Sequence, residues 1–488
     1  MEDEWTVNAN NALSLSLVRP TATAIDKVAS FHPEFTYAVF GQDESIFGYK
    51  GLRIELQYDA RDLRPNLSVS SARKFTAVGD VEAVDIRETL REFLPGVAFQ
   101  SKQDFQLAIK NIPDNWTPPG SLLKTYEKNG ETYEIWHGKL SDPAILQLVK
   151  RIQFVVLLFI EGGSYIGVDA EGKDEPAYSL SRWSIFFVYK KEADPAAAGK
   201  HQYTFQGYST VYNFWMYQTP APRKIPNNES WELPTGDFPL EYLPHRVRIS
   251  QFVILPPFQG KGIGAFLYNT IFELAINNSA VKEVTVEDPN DDFDLLRDLC
   301  DMKYLRKNAP EFSGLRLNTE IAIPEKGATL HHSTQVSASE DASASGDPIV
   351  DIARLESLRV KSKIAPRQFS RLVEMHLMST LPDSVRPQAE RDSGKQAAPE
   401  ADKHAYALWR LLLKQRLYRR NMSVLGEFEI TERIIKLNET VGNVEWEYAR
   451  ILDRLESATT ASDGKRKLDV ADAGENPVSK KARVGDAS

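Results

Sequence analysis

Cysteine is almost absent: Cys300 is the only one in 488 residues. A single thiol excludes an internal disulfide and a thiolate metal cluster. Long apolar runs are just as scarce. The most hydrophobic stretch, Phe154–Ile160, falls far short of the roughly 20 residues that a membrane-crossing helix needs, and it reads as a buried strand. The eight histidines are scattered. Their one adjacent pair, His331-His332, lies in Ser/Ala-rich linker composition, so no metal site is expected. The opening Met1-Glu2-Asp3-Glu4-Trp5 is acidic, unlike a secretory signal. Positive charge is in deficit, with 59 Lys+Arg against 68 Asp+Glu and a net charge of −9. An acidic body argues against direct nucleic-acid binding and favours a basic partner. The exception is the end of the chain, where Lys465-Arg466-Lys467 and Lys480-Lys481-Ala482-Arg483 form two basic clusters. That is the pattern of a nuclear import signal.

What is present suffices for two or three domains with sizeable cores. Residues 1–24 read as an N-terminal arm and residues 25–142 as a mixed α/β domain. Strand-like runs there are Phe35–Phe40, Leu52–Tyr58 and Lys74–Val78, followed by a short helix over Val84–Phe93. Arg53, Glu55 and Gln57 alternate with Leu52, Ile54, Leu56 and Tyr58, the period of a half-buried strand. A second domain spans residues 143–324. It opens with a helix over Ala144–Lys150, and strands follow at Phe154–Ile160, Trp183–Tyr189, Tyr203–Tyr217 and Val247–Leu255. So many strands with few helices between them predict an antiparallel sheet. From Ile263 the pattern changes: Ile263, Phe266, Leu267, Ile271, Leu274 and Ala275 recur at the spacing of an amphipathic helix. Val281–Glu287 is a further strand, and Asp294–Met302 reads as helical. Residues 325–348 are a flexible linker by composition. Helices are predicted over residues 349–360, 366–380, 404–421 and 431–455, in a C-terminal domain of residues 349–457 with a polar linker at 383–403. Residues 458–488 read as a disordered basic tail. The fold class expected is α+β.

The chemistry is concentrated in Arg248–Ala265. A strand ends at Leu255-Pro256-Pro257, and Gln259-Gly260-Lys261-Gly262-Ile263-Gly264-Ala265 opens a helix. Glycines let backbone approach a ligand. The first N–H groups of a helix lack internal partners and, with the helix dipole, cradle phosphate oxygens. A Walker loop would need Ser or Thr after the lysine, and Gly262 stands there. A dinucleotide fingerprint is a closer rival: Gly260, Gly262 and Ala265 fit it, and Glu287 follows about 20 residues on. That motif, however, starts a parallel βαβ unit without intervening prolines. Gln259, Gly262 and Gly264 match in full the Q/R-x-x-G-x-G/A loop by which GNAT acetyltransferases bind the pyrophosphate of acetyl-CoA.

The run Phe252–Ala265, with Val284-Thr285-Val286-Glu287-Asp288-Pro289, resembles the catalytic subunit of type B histone acetyltransferases. Phe40–Leu52, Phe159–Ile166, Gly207–Trp215 and Lys414–Asn421 agree with it, so the resemblance covers most of residues 5–455. The long linkers and the basic tail depart from the family pattern. The resemblance implies a GNAT fold, acetyl-CoA as co-substrate, and a product acetylated on lysines of the tail of free, newly synthesised histone H four. It also implies a WD-repeat histone-binding partner, a place in chromatin assembly, and a location in nucleus and cytoplasm. A histone chaperone with an inactive transferase domain is the alternative, and a nucleotide-dependent oxidoreductase a third.

The same resemblance assigns roles. Glu287 is the general base, with Asp288 beside it and Glu161, at the end of another strand, a second candidate. The strand end Phe252-Val253-Ile254 meets the thioester and pantetheine. Gln259, Gly260, Lys261, Gly262, Ile263, Gly264 and Ala265 hold the pyrophosphate, and Asn290 is a further cofactor contact. Asp43, Glu44 and Ser45, with Trp183, Tyr212, Asn213 and Phe214, line the histone groove. Cys300 lies in a predicted helix among apolar neighbours and is read as core rather than as an acyl carrier.

Overall fold

The computed structural model describes residues 2–21, 24–169, 171–193, 201–216, 243–323, 349–388 and 398–472. The chain divides into two compact units, Met1–Pro289 and Asn290–Ser488. The first carries two main sheets and the second is helical, giving an α+β fold.

The first sheet has four strands: β1 (Leu13–Pro20), β2 (Ile25–Phe31), β3 (Arg53–Asp59) and β4 (Pro65–Ser70), in the order β2-β1-β3-β4. β1 and β3 run parallel and the other pairs antiparallel. Residues 1–24 are therefore not an arm: β1 is an inner strand, with Leu13, Leu15 and Leu17 buried. The alternation of β3 is as expected, with Ile54, Leu56 and Tyr58 inward and Arg53 and Glu55 outward. Phe35–Phe40 is not a strand. Tyr37–Phe40 forms a helical turn that ends at Gly41, whose φ is +82°. The Glu44 carboxylate accepts from the Thr36 amide at 2.6 Å, and Thr36 Oγ1 donates to the Asn10 side chain at 2.6 Å, so polar anchoring overrides the apolar content. Of Lys74–Val78, Lys74 belongs to a two-residue strand, Arg73–Lys74, paired with Tyr49–Lys50, and Val78 makes an isolated bridge to Val81.

α1 (Pro143–Ile152) starts where the Asp142 side chain accepts from the Ala144 amide and Pro143 occupies the first turn. It passes through a 3₁₀ turn, Gln153–Val155, into a helical turn, Val156–Phe159. Phe154–Phe159 is thus helical, with Ile160 as its extended cap, and the run is not a strand. Phe154, Val155, Val156 and Leu158 are buried on all sides, and a run buried all round shows no period by which helix and strand differ.

The second sheet has six strands: β5 (Ser121–Lys128), β6 (Glu131–Lys139), β7 (Trp183–Ala193), β8 (His201–Trp215), β9 (His245–Ile254) and β10 (Val281–Val286). They lie in sequence order across the sheet, antiparallel except for β9 and β10. The parallel pair is joined by α2 (Ile263–Asn277). Ile263, Phe266, Leu267, Ile271 and Ala275 are buried as the periodicity predicts, whereas Leu274 is exposed. Tyr268, Thr270 and Phe272 are buried too, so the helix is covered over more of its circumference than one stripe.

The second unit packs α3 (Asp291–Asn308), α4 (Ile352–Ser362), α5 (Pro366–Ser379), α6 (Glu400–Arg420) and α7 (Ile430–Asp472). Trp409, Leu372, Met375, Leu413 and Tyr448 form its core. Two of its buried carboxylates pair with arginine. Asp298 meets Arg371 at 2.6 Å, and Glu374 meets Arg416 at 2.6 Å, while burial pushes both carboxyls above their usual range. Cys300 is buried in α3. α7 continues to Asp472, so residues 458–472 are helical and not part of a disordered tail. The linker at 325–348, residues 389–397 of the second linker, and residues 473–488 lie outside the described residues. Among the described residues no helix is long and apolar enough to cross a membrane.

Candidate active site

β9 and α2 are joined by a 3₁₀ turn, Pro256–Phe258, and then Gln259–Gly262. Gly262 caps α2 with φ +84°, and no side chain caps the helix. The amides of Ile263, Gly264 and Ala265 open α2, where a helix has no internal acceptors to offer. Gly260 has φ +73° and nothing within 4 Å of where a Cβ would stand, so its backbone is open to an approaching group. Lys261 is exposed, its ammonium 5.6 Å from the Phe258 ring centroid. The Gln259 side chain donates to Ile254 O at 2.8 Å, which ties the loop back onto the strand end. Such a cradle of backbone donors at a positive helix end fits a diphosphate.

β9 and β10 then part. Their pairing ends at Ile249 and Val286, with the Glu287 amide donating to Ile249 O at 2.9 Å, whereas β9 runs on to Ile254. The cause is a β-bulge. Ser209 pairs with Phe252 but Val211 with Ile249, so Ser250 and Gln251 together face Thr210. An extra residue bends the bulged strand and re-aims its side chains. Val253 and Ile254 are buried beyond the bulge and Phe252 is half-buried. Gly207 of β8 lies so close that an added Cβ would stand 2.3 Å from Val253 O.

Glu287 follows β10 at the mouth of this gap, with its side chain 37% exposed and therefore within reach of a substrate. Arg248 of β9 meets one of its oxygens at 3.1 Å, and Ser250 Oγ donates to the other. Asp288 is exposed and holds φ +32°. Glu161 is not at a strand end. It is exposed in the turn after the helical segment that ends at Phe159. Gln251 Nε2 donates to Ser164 O at 2.7 Å, so that turn is moored to the bulge beside Ser250. Asn290 opens the second unit: its side chain accepts from the Phe293 amide and caps α3.

Trp183 of β7 pairs with Tyr212 of β8, with ring centroids 4.7 Å apart. Tyr212 and Phe214 share a face at a two-residue period, 4.6 Å apart. The Arg182 guanidinium lies over Tyr212 and Trp215, and that of Arg248 over Phe214 at 4.5 Å. Arg248 thus connects the aromatic face to Glu287. Phe214, Arg246, Arg248, Thr285, Glu287 and Asp288 line one open cavity. Asn213 donates its amide to Arg182 O. In the N-terminal region Asp43 is exposed, but Glu44 is engaged internally by Thr36 and by Asn10, whose Nδ2 donates to it at 2.8 Å. Ser45 begins a short strand paired to Asn8. Sequence reasoning missed Arg248 and Ser250 as partners of Glu287, and Lys128, which reaches the glycine loop from β5.

Comparison with known proteins gives three family matches. "Histone acetyl transferase HAT1 N-terminus" covers residues 5–161, "Acetyltransferase (GNAT) family" residues 230–292, and "Fungal HAT1, C-terminal" residues 337–382. The chain is 45% identical to the histone acetyltransferase type B catalytic subunit of Gibberella zeae, over 100% of both chains. It is 45% identical to that of Pyricularia oryzae over 99% of both, and 31% identical to that of Candida albicans over 99% of this chain and 96% of the relative.

Proposed function

The chain belongs to the family of type B histone acetyltransferase catalytic subunits, and from that premise we propose that Glu287 is the base by which it acetylates lysines of the free histone H four tail. The enzyme is an acyltransferase that uses acetyl-CoA, which supplies an activated acetyl group as a thioester. A lysine amine has a pKa near 10.4 and reaches the site protonated, without a lone pair. Glu287 Oε1 and Oε2 are fixed by Arg248 and Ser250, so a proton taken from the substrate ammonium moves to a carboxylate of defined position. The aromatic face of Trp183, Tyr212 and Phe214 packs the methylene stems and backbone of an extended basic peptide, leading its lysine to Glu287. Asp43 and Glu161, both exposed, add negative charge towards such a peptide. Asp288 and Glu161 support the base, and the Phe252–Ile254 backbone pairs with pantetheine. A WD-repeat histone-binding subunit presents the histone before its deposition on DNA, and the enzyme serves both cytoplasm and nucleus.

The observation that carries this reading is the position of Glu287, where β9 and β10 part: β9 runs on into the glycine loop, and its Arg248 joins Glu287 to Phe214 of the aromatic face. Glu287→Gln keeps shape but cannot accept the proton. Turnover on a histone H four tail peptide should fall by about 10²–10⁴-fold, with acetyl-CoA affinity by calorimetry nearly unchanged. The ascending limb of the pH–rate profile should disappear. Abolition of turnover by Glu161→Gln, with Glu287→Gln within a few-fold of the parent, would place the base on the other segment.

A further inference from the structure

Lys124, Tyr126 and Lys128 share one face of β5 at a two-residue period; the first two reach α2 and the third the loop that precedes it. Lys124 meets Glu273 at 2.6 Å, and Tyr126 stacks on Phe266 with ring centroids 4.7 Å apart. Lys128 Nζ donates to Lys261 O at 2.7 Å, in the glycine loop. The strand is thus pinned along the helix and delivers its last cation to the helix start. The hairpin turn holds it there: Asn129 and Gly130 both have positive φ, 54° and 78°, as a two-residue turn with matching twist requires.

Glu131 stands opposite Lys128 in the hairpin register, but its carboxylate is engaged by Lys190 at 2.8 Å and by the Tyr133 hydroxyl at 2.6 Å, whereas Lys128 Nζ turns to the glycine loop. The start of a helix is its positive end, so a cation there is repelled. Lys261 adds a second ammonium. Lys124 has a carboxylate opposite it, whereas the partner shown for Lys128 is a neutral carbonyl. Glu273, which neutralises Lys124, sits further along α2. A hypothetical Cβ on Gly262 would stand 2.8 Å from Lys128 Nζ, so whatever lies over that glycine is within reach of the ammonium.

Resting on the acetyl-CoA reading above, we propose that Lys128 is a binding residue for the pyrophosphate of acetyl-CoA, contributed by the β5–β6 hairpin. The ammonium exchanges its carbonyl for a phosphate oxygen, and the negative charge satisfies hairpin, loop and helix end together. The pyrophosphate is favoured over the 3′-phosphate because the ammonium lies over Gly262, where the α2 amides converge.

The test is calorimetric binding, which needs no turnover. Lys128→Gln keeps a donor for Lys261 O but loses the charge, and Lys128→Arg keeps the charge. The Gln variant should bind acetyl-CoA about 10- to 100-fold more weakly, with a shallower salt dependence, and the Arg variant within about 3-fold of the parent. The same ratio of Gln variant to parent should hold for 3′-dephospho-acetyl-CoA. Full affinity in Lys128→Gln would reduce the residue to a loop support and overturn the proposal. So would a loss that vanishes with the dephospho compound, since the contact would then be to the 3′-phosphate. A parent chain that does not bind acetyl-CoA would instead sink the underlying reading, a result the parent titration shows by itself.

Discussion

Gly262→Val perturbs the cradle at its centre. Gly262 holds φ +84°, a left-handed conformation that costs an L side chain about 1–2 kcal/mol. The nearest atom to the new Cβ is the Lys128 ammonium at 2.8 Å, the end of a flexible stem that can swing aside. The fold therefore bears chiefly the backbone strain, and Tm should fall by about 2–8 °C. Binding suffers more. Two methyl groups would stand over the α2 amides, and each charge-assisted hydrogen bond lost is worth about 1.5–3 kcal/mol. One or two such losses weaken acetyl-CoA by about 10- to 10⁴-fold. Gly172→Val, outside the loop, is the control, because it carries similar strain at φ +74° and meets nothing within 4 Å. Calorimetry and thermal unfolding on the parent and both variants separate strain from obstruction. Parental affinity in Gly262→Val would refute the assignment of this loop to the pyrophosphate. Equal losses in both variants would show that strain, and not obstruction, is responsible.

Two further outcomes concern acid stability and location. His376 is buried in the last turn of α5, its ring 4.7 Å from that of Phe312. Burial, then the charges of Arg306 and Arg316, lower its pKa from 6.5 to about 4. The unfolded chain takes up that proton near pH 6.5 and the folded chain only near 4. Its contribution is therefore intact above pH 6.5 and is lost as pH falls towards 4, on the order of 2 kcal/mol by pH 5. His376→Leu should flatten the decline of urea-unfolding stability between pH 7 and pH 5, and a decline as steep as the parent's would dissociate it from this histidine. Removing residues 464–488 takes away both basic clusters, so a fluorescently tagged chain should shift towards the cytoplasm with turnover preserved. An unchanged distribution would exclude them as an import signal.

The fold was legible where one face of an element is wet. β3 showed its register because Arg53 and Glu55 face solvent while Ile54 and Leu56 do not. Phe154–Ile160 has no wet face, and its pattern could not distinguish strand from helix. β1 was hidden for a different reason. Its antiparallel partner β2 follows at once, but the connecting Thr21-Ala22-Thr23-Ala24 has none of the Gly, Asn or Asp that mark a hairpin turn, and its other partner, β3, is parallel and far along the chain. Phe35–Phe40 carried strand-like composition, but the conformation is set by Glu44 and Asn10 reaching Thr36 across loops.

The same division runs through the site. A phosphate cradle is built from consecutive backbone atoms, so its glycines must appear together in sequence, and the loop could be read whole. Glu287 was singled out by the family resemblance. Its partners were not. Arg248 and Ser250 reach it because β9 and β10 are parallel neighbours: Arg248 stands beside Thr285, and Ser250, two residues on, shares the face of Glu287. Nothing in the alternating sequence of β9 says which strand runs beside it. Lys128 is further still, 133 residues from Lys261, and its role depends on which face of an edge strand meets α2. Side-chain pairs across strands have a geometry fixed by register, and register becomes visible only once the chain is folded. The backbone part of this site is therefore written in the sequence, whereas the part that positions charge on it comes from the sheet.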